Sequence, residues 1–572
     1  MKCYCINILY SVLLLLTSSI NAQIDFNWAQ SWGGGGSDIS YQVIVRDDYI
    51  YIAGEFVNIL DFVPGTNVDD LETSGSWDGF FAKFDLEGNF IFARKVGGIG
   101  IDASFTIAVD AEEYIYLAGI FEATANFSNG LENYYLTSNG DYDGFLAKYD
   151  AEGNLIYARN MGGVSYDQCI AVTTDLNNNV LVTGIFYGTS DFDPGIEVHN
   201  LYSDILIGGV FLVKYDEEGN FLYANSASGD VAEVYPSNVA TDSHGNAIII
   251  GTYTDVVSFY APTDTVTLTP LDEETYFAKY DSIGNLVFAT TLGQAGGYIY
   301  GQTIALDSDD NIFIAGSFTG DIDFDVYDGT HILSSNGNGD IFFAKYKTNG
   351  ELLFVKALEG MEFWEHVHDI TLDNGGNIYI AGQFGSCDFD PGSSIFPIDA
   401  GFDDSADIFF AKYNAEGNLV YVNSYGVANI DVARGIALDE EENIYLTGSF
   451  NDNIDFNPGY QGGELFANSY DDIFLAKFSQ ETTLASQPVN ETSSSLRISP
   501  NPTTTITSIK SVNHFNYGTI ILTTAAGEIA KTWHGQTGTD FAIDFSGLPA
   551  GVYWITIADE TQVETSRVVV WR

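Results

Sequence analysis

Three groups of residues in this 572-residue chain have the types and spacing to do chemistry. The first is an acidic turn. Asp191 and Asp193 in "DFDPG", Asp323 and Asp325 in "DFDVY", and Asp388 and Asp390 in a second "DFDPG" each place two carboxylates one residue apart. Relatives within the chain read "DFVPG" at 61–65 and "DFNPG" at 455–459, whereas "NFSNG" and "SFYAP" have lost the carboxylates. Such pairs offer oxygens to calcium, but two carboxylates fall short of a full shell, and the EF-hand pattern is absent. The same residues also serve as a plain turn, with Asp and Pro-Gly shaping the backbone and Phe packing inward. The second group is Asp38, Asp102, Asp167 and Asp431, with Glu365 in the equivalent place. Around one channel mouth they would form an acidic ring that attracts a cation; on solvent-facing turns they would act as caps. The third is "MEFWEHVHD", 361–369. On a strand, His366 and His368 share a face, as a metal pair requires. No sister segment supplies a third ligand in register, and polar residues lining a channel account for the pair equally well. Trp364 offers a platform for a sugar ring.

Catalytic signatures are missing. There is no GxSxG, no HExxH, no Walker loop and no Cys–His pair. Carboxylate pairs suited to glycoside hydrolysis exist in such number that none stands out.

The elements that position these groups come from a repeat. The Lys of "FxAK" recurs at Lys83, Lys148, Lys214, Lys279, Lys345, Lys412 and Lys477, spaced 65 to 67 residues apart. The Gly of "IYIAG" recurs in step, from Gly54 and Gly119 through Gly382 to Gly448. Two markers at one period define seven units. Each unit predicts four short strands, a to d, such as "FTIAVD", "YIYLAGIF", "GFLAKYD" and "NLIYARN" in the second. Alternating apolar residues give each strand two faces. Turns such as "DLEGN" and "NAEGN" supply the Gly and Asn that tight hairpins need. The chain opens on a d strand, "FNWAQSW", and its last unit stops after a c strand, "DIFLAKF". Pairing these two would share one unit between both ends and close a ring, predicting an all-β fold: a seven-bladed β-propeller over 23–480, without exposed sheet edges.

The units resemble the bacterial β-propeller repeat known as SBBP and, more distantly, NHL-type blades. "GNIYIAGQF…DFDPG" at 376–392 and "DIFFAKYNAEGNLVY" at 407–421 carry the likeness. It implies the fold over roughly residues 26–479 and says little about activity, since propellers bind, scaffold and catalyse alike. In a four-stranded meander, the a–b and c–d turns share one face and the b–c and d–a connections the other. The b–c connections are long and unlike one another, so any site is expected on their face.

A polar Ser/Thr-rich linker, 481–495, leads to a separate unit, 496–572, expected to be a small β-sandwich. This unit resembles the type A C-terminal sorting domain of the type IX secretion system of Bacteroidetes. The residues that carry the likeness are Pro500-Asn501-Pro502, the turn at Gly527, and Leu548-Pro549-Ala550-Gly551-Val552-Tyr553. The resemblance implies Sec export, passage through the type IX machinery, and release or surface anchoring. Residues 1–22 read as a signal peptide, with Lys2 before a short apolar run and Ile20-Asn21-Ala22 as cleavage site. No stretch predicts a transmembrane helix. Cys3 and Cys5 would leave with the signal, and Cys169 and Cys387 sit at non-equivalent places, so no disulfide framework is expected.

Charge is concentrated in the repeat region. Residues 23–480 hold 14 Lys and Arg against 71 Asp and Glu, a net of −57 within a total of −59. Such a surface disfavours nucleic acid and anionic membranes. It admits cations and neutral ligands, and by itself also serves solubility. The expected function is an exported cell-surface or secreted binding module for glycans or protein partners, with calcium as the candidate cofactor. The alternatives are a propeller enzyme acting on polysaccharide and a structural surface protein without a small ligand.

Overall fold

The computed structural model describes residues 24–480, apart from short stretches of the connections, and the strands of a C-terminal unit between 496 and 570. The expected signal peptide, the linker 481–495, Trp364, Pro500, Asn501, Pro502, Gly527, Leu548 and Pro549 lie outside the described residues. Every regular element described is a β-strand, and the architecture is propeller-like. The chain divides into two compact units, the second beginning in the main at Thr482.

In the first unit, each repeat folds as an antiparallel sheet in the order a-b-c-d. The third repeat is typical, with Gln168–Thr174, Val180–Phe186, Gly209–Tyr215 and Phe221–Ser228. The b and c strands are buried on both faces, consistent with their near-continuous apolar sequence. Ile24–Trp32 pairs antiparallel with Asp472–Gln480, with Ala29 opposite Ala476 and Trp32 opposite Ile473. Each a strand lies against the a strand of the next repeat, and Val432–Leu438 lies against Ile39–Arg46.

Six of the repeats contain more than four strands among the described residues, while the second instead lengthens its b and c strands, Ile115–Asn126 and Tyr135–Tyr149. Residues after strand b form a second, two-stranded hairpin, such as Thr189–Asp191 with Asn200–Tyr202, or Asn453–Asp455 with Glu464–Phe466. Its Phe anchors it: Phe192, Phe324, Phe389 and Phe456 are buried. The Tyr at the end of strand c then donates to that Phe carbonyl, at 2.7 Å from Tyr215 to Phe192 and 3.0 Å from Tyr413 to Phe389. In some repeats this hairpin also covers the outer edge of the preceding d strand, as Ser258–Tyr260 does along Ser226–Ser228. An edge covered this way offers fewer free backbone groups to another chain.

The recurring Lys of strand c has a defined partner. Lys214 lies 2.7 Å from Asp175, Lys279 2.8 Å from Asp242 and Lys345 2.9 Å from Asp307, each Asp sitting in the a–b turn of the same repeat. The ammonium also reaches a turn carbonyl of the following repeat, as Lys148 does to Glu217 and Lys477 to Leu86. One side chain thus fixes a turn within its own repeat and ties it to a neighbour.

In the C-terminal unit, hydrogen bonds join Leu496–Ser499, Ile506–Thr524, Ile529–Asp544, Gly551–Ala558 and Val563–Val570 into one sheet. Ile506–Thr524 is long enough to take different partners along its length, and its register shifts at Lys510, Phe515 and Gly518. Ile520, Leu522, Ile555 and Ile557 are buried there. Gly551 pairs with Val570 and Tyr553 with Val568.

Candidate functional site

The marker glycine of strand b explains where the unusual side chains go. Opposite each one, strand a carries one extra residue. Between Val367 and Asp369 the register with Gly382 and Ala381 shifts, leaving His368 without a partner on strand b. The bulged backbone comes so close that a Cβ on Gly382 would lie 1.9 Å from the His366 carbonyl oxygen, and one on Gly448 would lie 1.9 Å from that of Val432. Glycine is required because the neighbouring strand bulges. Bulges re-aim side chains, often toward sites.

The same shift occurs in every a strand. The extra residues are Tyr41, Phe105 and Ile170 in the first three repeats, then Ser237, Gln302, His368 and Arg434. All line one cavity of about 200 Å³. Its wall is therefore lopsided, aromatic and aliphatic on one side and polar on the other. The next residue of each strand knits the wall together. Thr106 Oγ1 and the Ile107 N–H donate to Gln42 Oε1 at 3.0 and 2.8 Å. The Val172 N–H donates to Thr106 Oγ1 at 3.2 Å. Asp369 accepts from Thr303 Oγ1 at 3.3 Å and from the Ile436 N–H at 3.0 Å. Burial pushes the Asp369 carboxyl up to about 6, against these hydrogen bonds. Burial, with Arg434 and His366 nearby, pushes His368 down to about 3, so it is a neutral imidazole.

His366 and His368 lie with ring centroids 6.3 Å apart. Among the described residues, the one grouping of three metal-capable side chains is elsewhere, at Asp242, His244 and Asp310. There Asp242 is already engaged by Lys279.

The carboxylates that follow strand d bridge backbone turns. Asp38, Asp102, Asp167 and Asp431 are fully buried, and Glu365 nearly so. Asp102 accepts the Gly98 N–H at 2.6 Å and the Glu122 N–H at 3.1 Å, joining the d–a turn to the end of strand b. Asp38 does the same with Gly34 and Val57, and Asp167 with Gly163 and Tyr187. Asp431 accepts from Asn451 and Glu365 from Ser386. Burial pushes Asp38, Asp102 and Asp167 up to about 7, and the hydrogen bonds offset only part of that.

The paired acids of the hairpin turns also face their own backbone. Asp191 Oδ1 accepts from Asp193 and His199, and Asp193 from Gly195. Asp323 accepts from Asp325 and His331, and Asp325 from Tyr327. Asp388 accepts from Asp390, and Asp390 from Gly392.

Sequence reasoning passed over the bulge column and the Lys–Asp pairs. The signal for the first was faint: thirteen or fourteen residues before the marker glycine, and two before a uniformly β-branched position (Val43, Ile107, Val172, Val239, Ile304, Ile370 and Ile436), the residue type changes from repeat to repeat. The signal for the second was an Asp that recurs just after strand a, in step with the Lys.

Residues 497–571 match the family described as the secretion system C-terminal sorting domain, which marks the chain for export by type IX secretion to the cell surface or beyond. The chain is similar to an uncharacterized WD repeat-containing protein of Acanthamoeba polyphaga mimivirus, 23% identical over 440 residues, which is 63% of this chain and 31% of that one. A shorter stretch of 157 residues is 21% identical to the regulatory protein FlaEY of Caulobacter vibrioides, covering 27% of this chain and 16% of that one. The chain thus spans a third or less of these relatives' lengths. Among solved structures, a quinohemoprotein alcohol dehydrogenase of Pseudomonas putida aligns with a TM-score of 0.40 and 9% identity over 82% of this chain and 78% of that one. Sqt1 of Chaetomium thermophilum aligns with a TM-score of 0.34 and 8% identity over 80% and 99%. No helix among the described residues is long and apolar enough to cross a membrane.

Proposed function

We propose that this protein is an exported binding module, displayed on the cell surface or released. Its body is a seven-bladed β-propeller of the SBBP repeat type, closed by pairing of the first and last strands, and its tail engages type IX machinery in a Bacteroidetes cell. The observation that carries export is the sorting-domain match over 497–571. Closure is supported by the register of Ile24–Trp32 on Asp472–Gln480 and by the contact of the last a strand with the first. Binding is supported by the lopsided cavity wall, which brings Tyr41 and Phe105 together with Gln302, His368 and Arg434 around one opening. Glycans or protein partners are the ligand classes, with calcium as a candidate aid at the hairpin aspartates.

Two experiments test this. In a host with type IX secretion, removing residues 496–572 should trap the chain inside cells that otherwise display or release it. Export of the shortened chain at the full-length level would overturn that half. The full-length exported chain should retain one class of polysaccharide on an array, read with calcium and with chelator. A blank array in both conditions, with self-association by sedimentation, would replace the binding reading with a structural one.

A further inference from the structure

Arg434 is the least accounted-for side chain in the cavity. Its Nε is buried without a hydrogen-bond partner, and no ion pair forms at its guanidinium among the described residues. A buried donor left without an acceptor is costly, and native structures satisfy nearly all such atoms. The shortage of acceptors is local, since the repeat region carries 71 acids. Glu55 is near enough to act on Arg434, yet its carboxylate takes the Tyr41 hydroxyl at 2.7 Å instead. Arg434 also lines a second opening, of about 410 Å³, with Asn451 and Asp471 on the b–c side, so the guanidinium is reachable from that face.

An aromatic wall stands beside this donor. The Tyr41 ring lies 5.4 Å from the guanidinium carbon and packs edge-on against Phe105 at 5.5 Å. Across from it, Gln302 and the neutral His368 present groups that both donate and accept. A planar donor next to aromatic faces suits a flat or ring-shaped body that ends in a carboxylate. Glu55 and Asp471 act on Arg434 from nearby without forming an ion pair with it, so an incoming carboxylate gains by direct contact at the guanidinium.

We propose that this cavity holds a single six-membered ring bearing one carboxylate, with the carboxylate on Arg434 and the ring against Tyr41 and Phe105. The proposal rests on the binding-module reading and narrows it. Two sources share the chemistry: a hexuronic acid, free or at a glycan end, and an aromatic carboxylate. A cavity of about 200 Å³ matches a ligand smaller than the drug-sized ones that fill larger pockets.

The test is calorimetric titration of the full chain with galacturonate and with benzoate, beside galactose and benzyl alcohol. At least one carboxylate should bind about tenfold more tightly than its neutral counterpart. Galacturonate alone would name the sugar source, benzoate alone the aromatic one. Arg434→Gln should remove the preference for the carboxylate, and Tyr41→Leu should weaken ring binding while keeping the preference. Equal binding of charged and neutral partners, or no binding of either carboxylate, overturns the proposal without any variant having to fold. If a polysaccharide array lights up while both carboxylates fail, this inference falls and the binding-module reading stands.

Discussion

Asp167 and Asp175 bracket one strand, Gln168–Thr174, and both are buried, yet they ionise in opposite ways. Asp167 is surrounded by backbone: Gly163 and Tyr187 donate N–H groups, and Ser190 adds its hydroxyl. Burial dominates there, and Asp143 adds like charge, so the carboxyl is pushed up to about 7. Asp175 is also raised by burial. However, the Asn179 amide, Lys214 and backbone N–H groups together outweigh it and hold the carboxyl below its ordinary range. The difference is an amide and a cation added to the backbone donors. At Asp167 the neutral donors only partly repay the lost hydration; at Asp175 the Asn179 amide and a lysine at 2.7 Å complete it. The pattern repeats across the sheets. Asp38 and Asp102 behave like Asp167, while Asp242, Asp307 and Asp373 behave like Asp175. One end of the a strands therefore carries acids close to neutrality, and the other carries fixed charge.

Removing the cation should have the largest effect. Lys214→Met leaves Asp175 as a buried charge without its partner, both side chains being no more than 2% exposed. A loss of about 3–5 kcal/mol is expected in urea denaturation. Adding Asp175→Leu should recover most of it. A double variant as unstable as the single one would mean that Lys214 acts through its carbonyl contact to Gly245 instead. At the other end, Asp167→Ala strands two buried N–H donors, with an expected cost of about 1–3 kcal/mol. Asp167→Asn keeps one acceptor oxygen and should cost less. If Asn were as damaging as Ala, the charge rather than the turn bridging would be what matters at this end.

The comparison also sets a pH profile. Asp38, Asp102 and Asp167 have folded values near 7 against an ordinary 3.8, so the folded state binds more protons between those values. Their contribution is complete below about pH 4 and is lost as pH rises through 7. Asp175, Asp242, Asp307 and Asp373 are lowered, so their contribution is present above the ordinary value and is lost as pH falls below it. Melting temperature should therefore peak in mildly acidic solution and decline toward pH 8. Changing Asp38, Asp102 and Asp167 together to Asn should flatten the neutral-side decline and leave the acid side alone. A decline that survives in the triple variant would place its origin outside these turns.

What the sequence made legible follows from what recurs. The period of Lys and Gly located the strands, because the bulge beside strand b needs the same glycine in every copy and the a–b turn in most copies is met by the same lysine. The missing second strand after "DIFLAKF" directed attention to Ile24–Trp32, where the pairing is found. The extra hairpins were harder to read, since strands of three residues have too few positions to show alternation. The cavity was hidden for a related reason. A bulge breaks the period of two that strand reading depends on, so spacing alone could not show that His368 is the extra residue of its strand. Burial of Asp102 or Asp167 left no trace in the sequence, because an Asp that caps an exposed turn and one that bridges two buried turns have the same neighbours in the chain.

The smallest effect belongs to the acids that are neither sealed in nor paired. Asp191 Oδ1 accepts two N–H groups, from Asp193 and His199, in a hairpin turn open to solvent. An asparagine oxygen can accept the same pair, so Asp191→Asn should change stability by about 0.5 kcal/mol or less. Thermal melts of the protein and the variant, in millimolar calcium and in chelator, read this directly. Equal curves in all four conditions would mean that these aspartates serve the turn as hydrogen-bond acceptors, the same geometric task as Asp167 performed where water still solvates the charge. A calcium-dependent rise that disappears in Asp191→Asn would instead give them a third way to keep a carboxylate ionised, with a metal ion doing at the hairpin what Lys214 does for Asp175.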